Sequence, residues 1–137
     1  MKNLLLMCLI FCAVTNVTEA REQKVYSIDV KLEKCMEKDF STAGMNQCTY
    51  EATSAWDAEI AKYTALIKKT LDSKQLVYFN NANNAWSEFY AAEKASIANT
   101  IHQKDGTIHT TISAGLINSL ARERALYLKG FYNSYKD

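Results

Sequence analysis

Cys35 and Cys48 stand one short loop apart, and from Met45 onward apolar residues return on a helical period. At about 100° per residue Met45, Cys48, Ala52, Trp56, Ile60, Tyr63 and Ile67 fall on one face. A chain that couples a close cysteine pair to a long one-sided helix has few folds open to it. The stripe must be buried against other helices, and the pair must be bridged or bound. Proline is absent from the whole sequence, so no proline kink interrupts the pattern.

Which fate the cysteines meet depends on compartment. Residues 1–20 read as a secretory signal peptide: Lys2 forms the charged start, Leu4 to Val14 an unbroken apolar run, and Thr18-Glu19-Ala20 a small-residue cleavage site. That run is too short to span a bilayer. A lipoprotein leader is disfavoured because bulky Phe11 precedes Cys12 where a small residue is wanted. The expectation is a periplasmic or secreted chain starting at Arg21, with no membrane span. Cleavage removes Cys8 and Cys12 and leaves Cys35 and Cys48 in an oxidising compartment, where such a pair is read as a disulfide. A two-cysteine metal site is the competing reading, but the two histidines, His102 and His109, lie far downstream. No metal and no cofactor is expected.

Residues 21–137 suffice for one domain. Arg21 to Leu32 fits either a strand, through the alternation of Ile28, Val30 and Leu32, or a helix through Val25, Ile28, Leu32 and Cys35; with no second strand to pair with, helix is the reading. Ser41-Thr42 supplies a cap for a helix running to about Leu71, and Asp72-Ser73 supplies the next. The third helix puts Phe79, Ala82, Trp86, Phe89, Tyr90, Ile97 and Ile101 on its apolar face, weakened by Asn80, Asn81, Asn83 and Asn84. Lys104-Asp105-Gly106 is a strong turn signal, and the β-branched stretch Thr107–Thr111 is a candidate for extended backbone. A last helix, Thr111 to Tyr135, carries Leu116, Ile117, Leu120, Tyr127, Phe131 and Tyr135. The fold class expected is all-α, a small four-helix bundle-like domain stapled by one disulfide near its N-terminal end.

The net charge is +1, and losing Lys2 and Glu19 with the leader leaves it unchanged. Without a basic stripe, nucleic acid is not an expected partner.

Glu59, Glu93 and Arg124 each fall inside the apolar stripe of their own helix, where a lone charge costs several kcal/mol. A structural ion cluster among them is the expectation. The competing reading, a paired-carboxylate glycosidase site, is disfavoured because a neighbouring arginine holds both carboxylates ionised. His102 and His109 read as ordinary polar surface. Tyr127, Phe131, Tyr132 and Tyr135 allow a recognition patch, since tyrosine is favoured at interfaces, against a core reading from their helical spacing. The asparagine run is read equally as a solvated face or as amides offered to a glycan or protein.

The chain resembles the secreted LprI-type lysozyme inhibitor N-terminal domain family. The matching marks are Cys35-Met36-Glu37-Lys38, Met45, Cys48 and Glu51, then Asp57-Ala58-Glu59-Ile60 with Lys62-Tyr63, Ala85-Trp86, Gly106-Thr107-Ile108 and Arg124-Ala125. Of these, Glu51, Asp57, Tyr63 and Trp86 are the family-like positions to be located in the fold. Many members carry an arginine four residues after the tryptophan and a second cysteine pair; here those places hold Tyr90, Lys94 and Leu116. The resemblance implies an exported binding protein, a lysozyme inhibitor acting on a protein partner without chemistry of its own. The alternatives are a periplasmic immunity-type protein neutralising another cell-wall hydrolase, and an enzyme.

Overall fold

The computed structural model describes residues 26–136; the expected leader and residues 21–25 lie outside this range. Four helices follow one another: α1 (Ser27–Met36), α2 (Thr42–Thr70), α3 (Ser73–Asn99) and α4 (Ile108–Lys136). There is no strand among the described residues, so the all-α expectation holds and the ambiguous N-terminal stretch is helical from Ser27.

The helix ends are set by local chemistry. The Ser41 hydroxyl accepts from Gly44 N at 3.0 Å and so caps α2. At the start of α3, Asp72 accepts from Gln75 N at 2.8 Å while the Gln75 side chain accepts from Asp72 N at 3.0 Å, a reciprocal capping box. Gly106 adopts φ 98°, a left-handed conformation that costs any other residue energy, and this reverses the chain between α3 and α4. Thr107–Thr111 is not extended. Thr110 N donates to Thr107 O at 3.1 Å and the Thr110 hydroxyl donates to the same carbonyl at 2.6 Å, so the turn tightens directly into helix from Ile108. Thr110 satisfies its hydroxyl on the backbone of the turn while the Thr111 hydroxyl is shielded without a partner, and no neighbouring strand among the described residues offers a competing ladder.

Cross-helix bonds give the topology. Asn46 Nδ2 donates to Thr110 Oγ1 at 2.8 Å and the Thr53 hydroxyl donates to Asn118 Oδ1 at 3.3 Å; both pairs have nearly the same sequence separation, so α2 and α4 run parallel. Along α3 and α4 the pairing runs oppositely, Gln75 with Tyr135 and Asn83 with Arg124, so α3 is antiparallel to both. α1 lies antiparallel along α2, with Cys35 bridged to Cys48 at one end and Tyr26 against Trp56 at the other. The α2–α4 pair carries most of the packing; α1 attaches chiefly to α2, and α3 lies more lightly on α4.

Two buried clusters draw on α2, α3 and α4: Trp56, Tyr90, Ala121 and Ala125, then Tyr63, Ile67, Phe79 and Leu128. The α2 stripe is close to that expected, with Cys48, Ala52, Trp56, Tyr63 and Ile67 buried. The α4 stripe is not. Its buried residues are Ser113, Ala114, Asn118, Ala121, Ala125 and Leu128, whereas Leu116, Tyr127 and Tyr135 are exposed. The Trp56 ring fills the space between the helices where α4 meets it with Ala121 and Ala125, Leu128 packs with Tyr63, and the bulkier Leu116, Tyr127 and Tyr135 fall outside the seam. On α3, Phe79, Tyr90 and Ile97 are buried, while Phe89 and Ala82, expected inside, face out.

Candidate functional site

Arg122 and Arg124 are two residues apart on α4, so the helical turn aims them to opposite sides. Each is held by a pair of aromatic rings, but only one meets a carboxylate.

Arg122 points towards α1. Its guanidinium carbon is 5.5 Å from the Tyr26 ring centre and 5.7 Å from that of Trp56. It makes a two-pronged contact with Asp29, Nη2 to Oδ2 at 2.8 Å and Nε to Oδ1 at 3.0 Å. Those hydrogen bonds raise the Arg122 pKa further above its usual range.

Arg124 points towards α3. Its guanidinium carbon is 5.2 Å from the Trp86 ring centre and 5.4 Å from that of Tyr127, a cation held between two π faces. Its partner is an amide: Nη2 donates to Asn83 Oδ1 at 2.6 Å. No carboxylate lies within ion-pair distance of it among the described residues, and burial pulls its pKa down, partly offset by Tyr127. Arg124 Nε and Asn83 Nδ2 are shielded from solvent with no acceptor, and Asn80 Oδ1, three residues earlier on α3, is likewise unpaired. Tyr127 is 60 % exposed, and the rings continue along α4 through Phe131 to Tyr135 with centres 6.4 Å apart at each step. Tyr78, also exposed, lines a hollow with Phe79, Phe131 and Tyr135.

The expected cluster of Glu59, Glu93 and Arg124 does not form. Glu59 is bonded by Lys62 at 2.9 Å, one turn along α2, and lines a cleft on the α1 side of the molecule. Glu93 sits half-buried on α3 and makes no ion pair among the described residues. Helical-wheel positions place each charge near a stripe, but α4 turns Arg124 towards α3 while Glu59 lies on the flank of α2 that meets α1. The same separation leaves the paired-carboxylate reading without its pair.

The cleft holding Glu59 has a volume of about 590 Å³ between α1, α2 and α4, and Lys31, Lys62 and Lys129 stand around it. Tyr63 lies buried in its wall. Glu51 is exposed and accepts from Gln47 at 2.9 Å, close to the disulfide. Asp57 is solvent-exposed on α2, yet packing nearby raises its carboxyl pKa, with Lys94 acting against the shift. Burial and the charge of Asp57 push the Tyr90 phenol up to about 12, and Lys94 Nζ sits 4.3 Å from the centre of the Tyr90 ring. Trp86 stacks on Tyr90 at 4.8 Å and leads from this cluster to Arg124. His102 is exposed in the turn and His109 is half-buried; no group of three metal-ligating side chains forms among the described residues. Sequence reasoning singled out Arg124, placed Asn83 only in an asparagine run open to solvent or a ligand, and missed Arg122 and Asp29; the roles of all four depend on which helix each side chain meets.

Fold and site together define a small disulfide-stapled helical domain whose most developed surface feature is an arginine set among aromatic rings. A sequence profile of the lysozyme inhibitor LprI family matches residues 35–128, and the chain belongs to that family. No curated protein matches it. Among solved structures, the chain is similar to an uncharacterized protein from Burkholderia thailandensis at 26 % identity and a TM-score of 0.75. The match covers 83 % of this chain but 57 % of that one, so this chain spans little more than half the length of its structural relative.

Proposed function

We propose that this protein is an exported binding protein that inhibits a lysozyme-type cell-wall hydrolase by occupying its surface, with no chemistry of its own. The observation that carries this reading is the family match over residues 35–128, which runs from the first bridged cysteine to the core residue Leu128. The leader expected at residues 1–20 supports it by sending the chain where such hydrolases act. Inhibition by binding requires a rigid surface, and long capped helices with a covalent staple provide one. A net charge of +1 offers little long-range steering, so association is expected to be moderate in rate and weakly dependent on salt.

The test is titration of the purified, disulfide-bonded protein into a cell-wall lysis assay with lysozymes of several structural classes. Inhibition of at least one class at micromolar protein or below is the expected result. Full lytic activity of every class at that concentration, together with no retention on a column of the immobilised protein, sinks the reading.

A further inference from the structure

We infer that the α3–α4 face centred on Arg124, with Trp86, Tyr127 and Asn83 around it, is the surface that docks the hydrolase, and that Arg124 takes a carboxylate of that partner. This inference rests on the inhibitor reading and names the site through which it operates.

The contrast within α4 carries the argument. Arg122 and Arg124 have the same chemistry and the same aromatic bracketing, but Arg122 is neutralised by Asp29 and Arg124 by no carboxylate among the described residues. A structural arginine brings its counter-ion with it, as Arg122 does. Arg124 is instead partly withdrawn from water and bonded to a neutral amide, with one of its own donors and one of Asn83's left unsatisfied. A guanidinium carries five N–H donors, so a partner's carboxylate is taken by those outside the shielded Nε, and it supplies the counter-ion that Arg124 lacks among the described residues.

The surroundings have the composition of an interface hot spot. Tryptophan, tyrosine and arginine are enriched among the few residues that dominate binding energy at protein interfaces. Here Trp86 and Tyr127 bracket the cation, and exposed Tyr78 and Tyr135 extend an apolar rim along the two helices beyond what a solvated face requires. The occupant is therefore a protein surface that places an ionised Asp or Glu among apolar neighbours. The Lys-ringed cleft on the α1 side is the competing location on the same molecule.

The experiment compares inhibition of a susceptible lysozyme by the wild-type protein and by Arg124→Gln, Tyr127→Ala, Lys129→Ala and Lys68→Ala, each shown by circular dichroism and thermal melting to be folded. Gln keeps a side-chain amide beside Asn83 but removes the charge. Tyr127 is exposed enough that its truncation leaves the fold standing even if Arg124→Gln does not. Arg124→Gln is expected to raise the half-inhibitory concentration about tenfold or more, and Tyr127→Ala several-fold. Lys68→Ala is expected to match the wild type. Equal inhibition by folded Arg124→Gln and Tyr127→Ala, or a loss confined to Lys129→Ala, overturns the assignment while leaving the inhibitor reading intact. A wild-type protein that inhibits no lysozyme removes that reading and this one with it.

Discussion

Replacing both Cys35 and Cys48 by alanine is expected to cost about 3 kcal/mol, the chain-entropy value for a bridge across a sequence separation of 13. Alanine is the appropriate substitute because Cys48 is only 4 % exposed, and serine would bury a hydroxyl there. The structure also says where the loss should fall. α1 has ten residues, none of them buried, which is too short to persist as a helix alone. Besides the disulfide, it is held by the Asp29–Arg122 pair, the edge of Tyr26 on Trp56 and the packing of half-buried Ile28 against the Trp56 cluster. Both partners of the ion pair are about 30 % exposed, so it contributes only a few tenths of a kcal/mol to about 1 kcal/mol, and the ring contact a similar amount. Without the staple, α1 should therefore leave the α2–α4 pair before that pair unfolds, uncovering Trp56, which is 3 % exposed in the intact fold. Urea denaturation followed by both circular dichroism and tryptophan fluorescence tests this, with amide exchange over residues 27–36 as the local readout. The expected pattern is coincident transitions in the oxidised protein, and in the variant an early fluorescence change with fast exchange in α1. A variant whose stability falls by less than about 0.5 kcal/mol, with α1 amides still protected, would refute the reasoning.

The other expectations concern the core. Ala121 is fully shielded where α4 meets Trp56 and Tyr90, so Ala121→Leu adds three carbons to a filled site and should cost about 1 to 3 kcal/mol, measured by urea unfolding; unchanged stability would mean the seam is loose. Tyr90 ionises near pH 12 in the fold against about 10 when unfolded, so the fold favours its neutral form. Stability from this source is complete below about pH 10 and is lost as pH rises through about 12, a loss of order 2 to 3 kcal/mol that Tyr90→Phe should abolish. Alkaline titration of phenolate absorbance in the two proteins checks it; a wild-type curve in which every tyrosine titrates near its ordinary value contradicts the burial argument.

Much of this architecture is written in local patterns. Ser41 and Asp72 announce the starts of α2 and α3, Gly106 marks the reversal, and the spacing from Met45 to Ile67 identifies the buried side of α2, because caps, turns and amphipathic stripes depend on residues within a few positions of one another. The cysteine pair is legible for the same reason: with only two cysteines beyond the expected leader, chemistry leaves them one protein partner. The seam of α4 is a different matter. Ala121 and Ala125 carry weak hydrophobic signals, and their burial is imposed by the large Trp56 ring that α2 brings against them. Arg124 shows the limit most clearly. From the sequence alone it is a charge near a stripe, to be matched with whichever carboxylate lies near another. Whether it meets Glu59, Glu93 or Asn83 is decided by a rotation of about 100° per residue along α4 and by the antiparallel register of α3. Local sequence determined the helices and their ends, whereas the side chains that meet across them were decided by packing, because helix rotation and register are properties of the assembled pair and belong to neither strand of sequence alone.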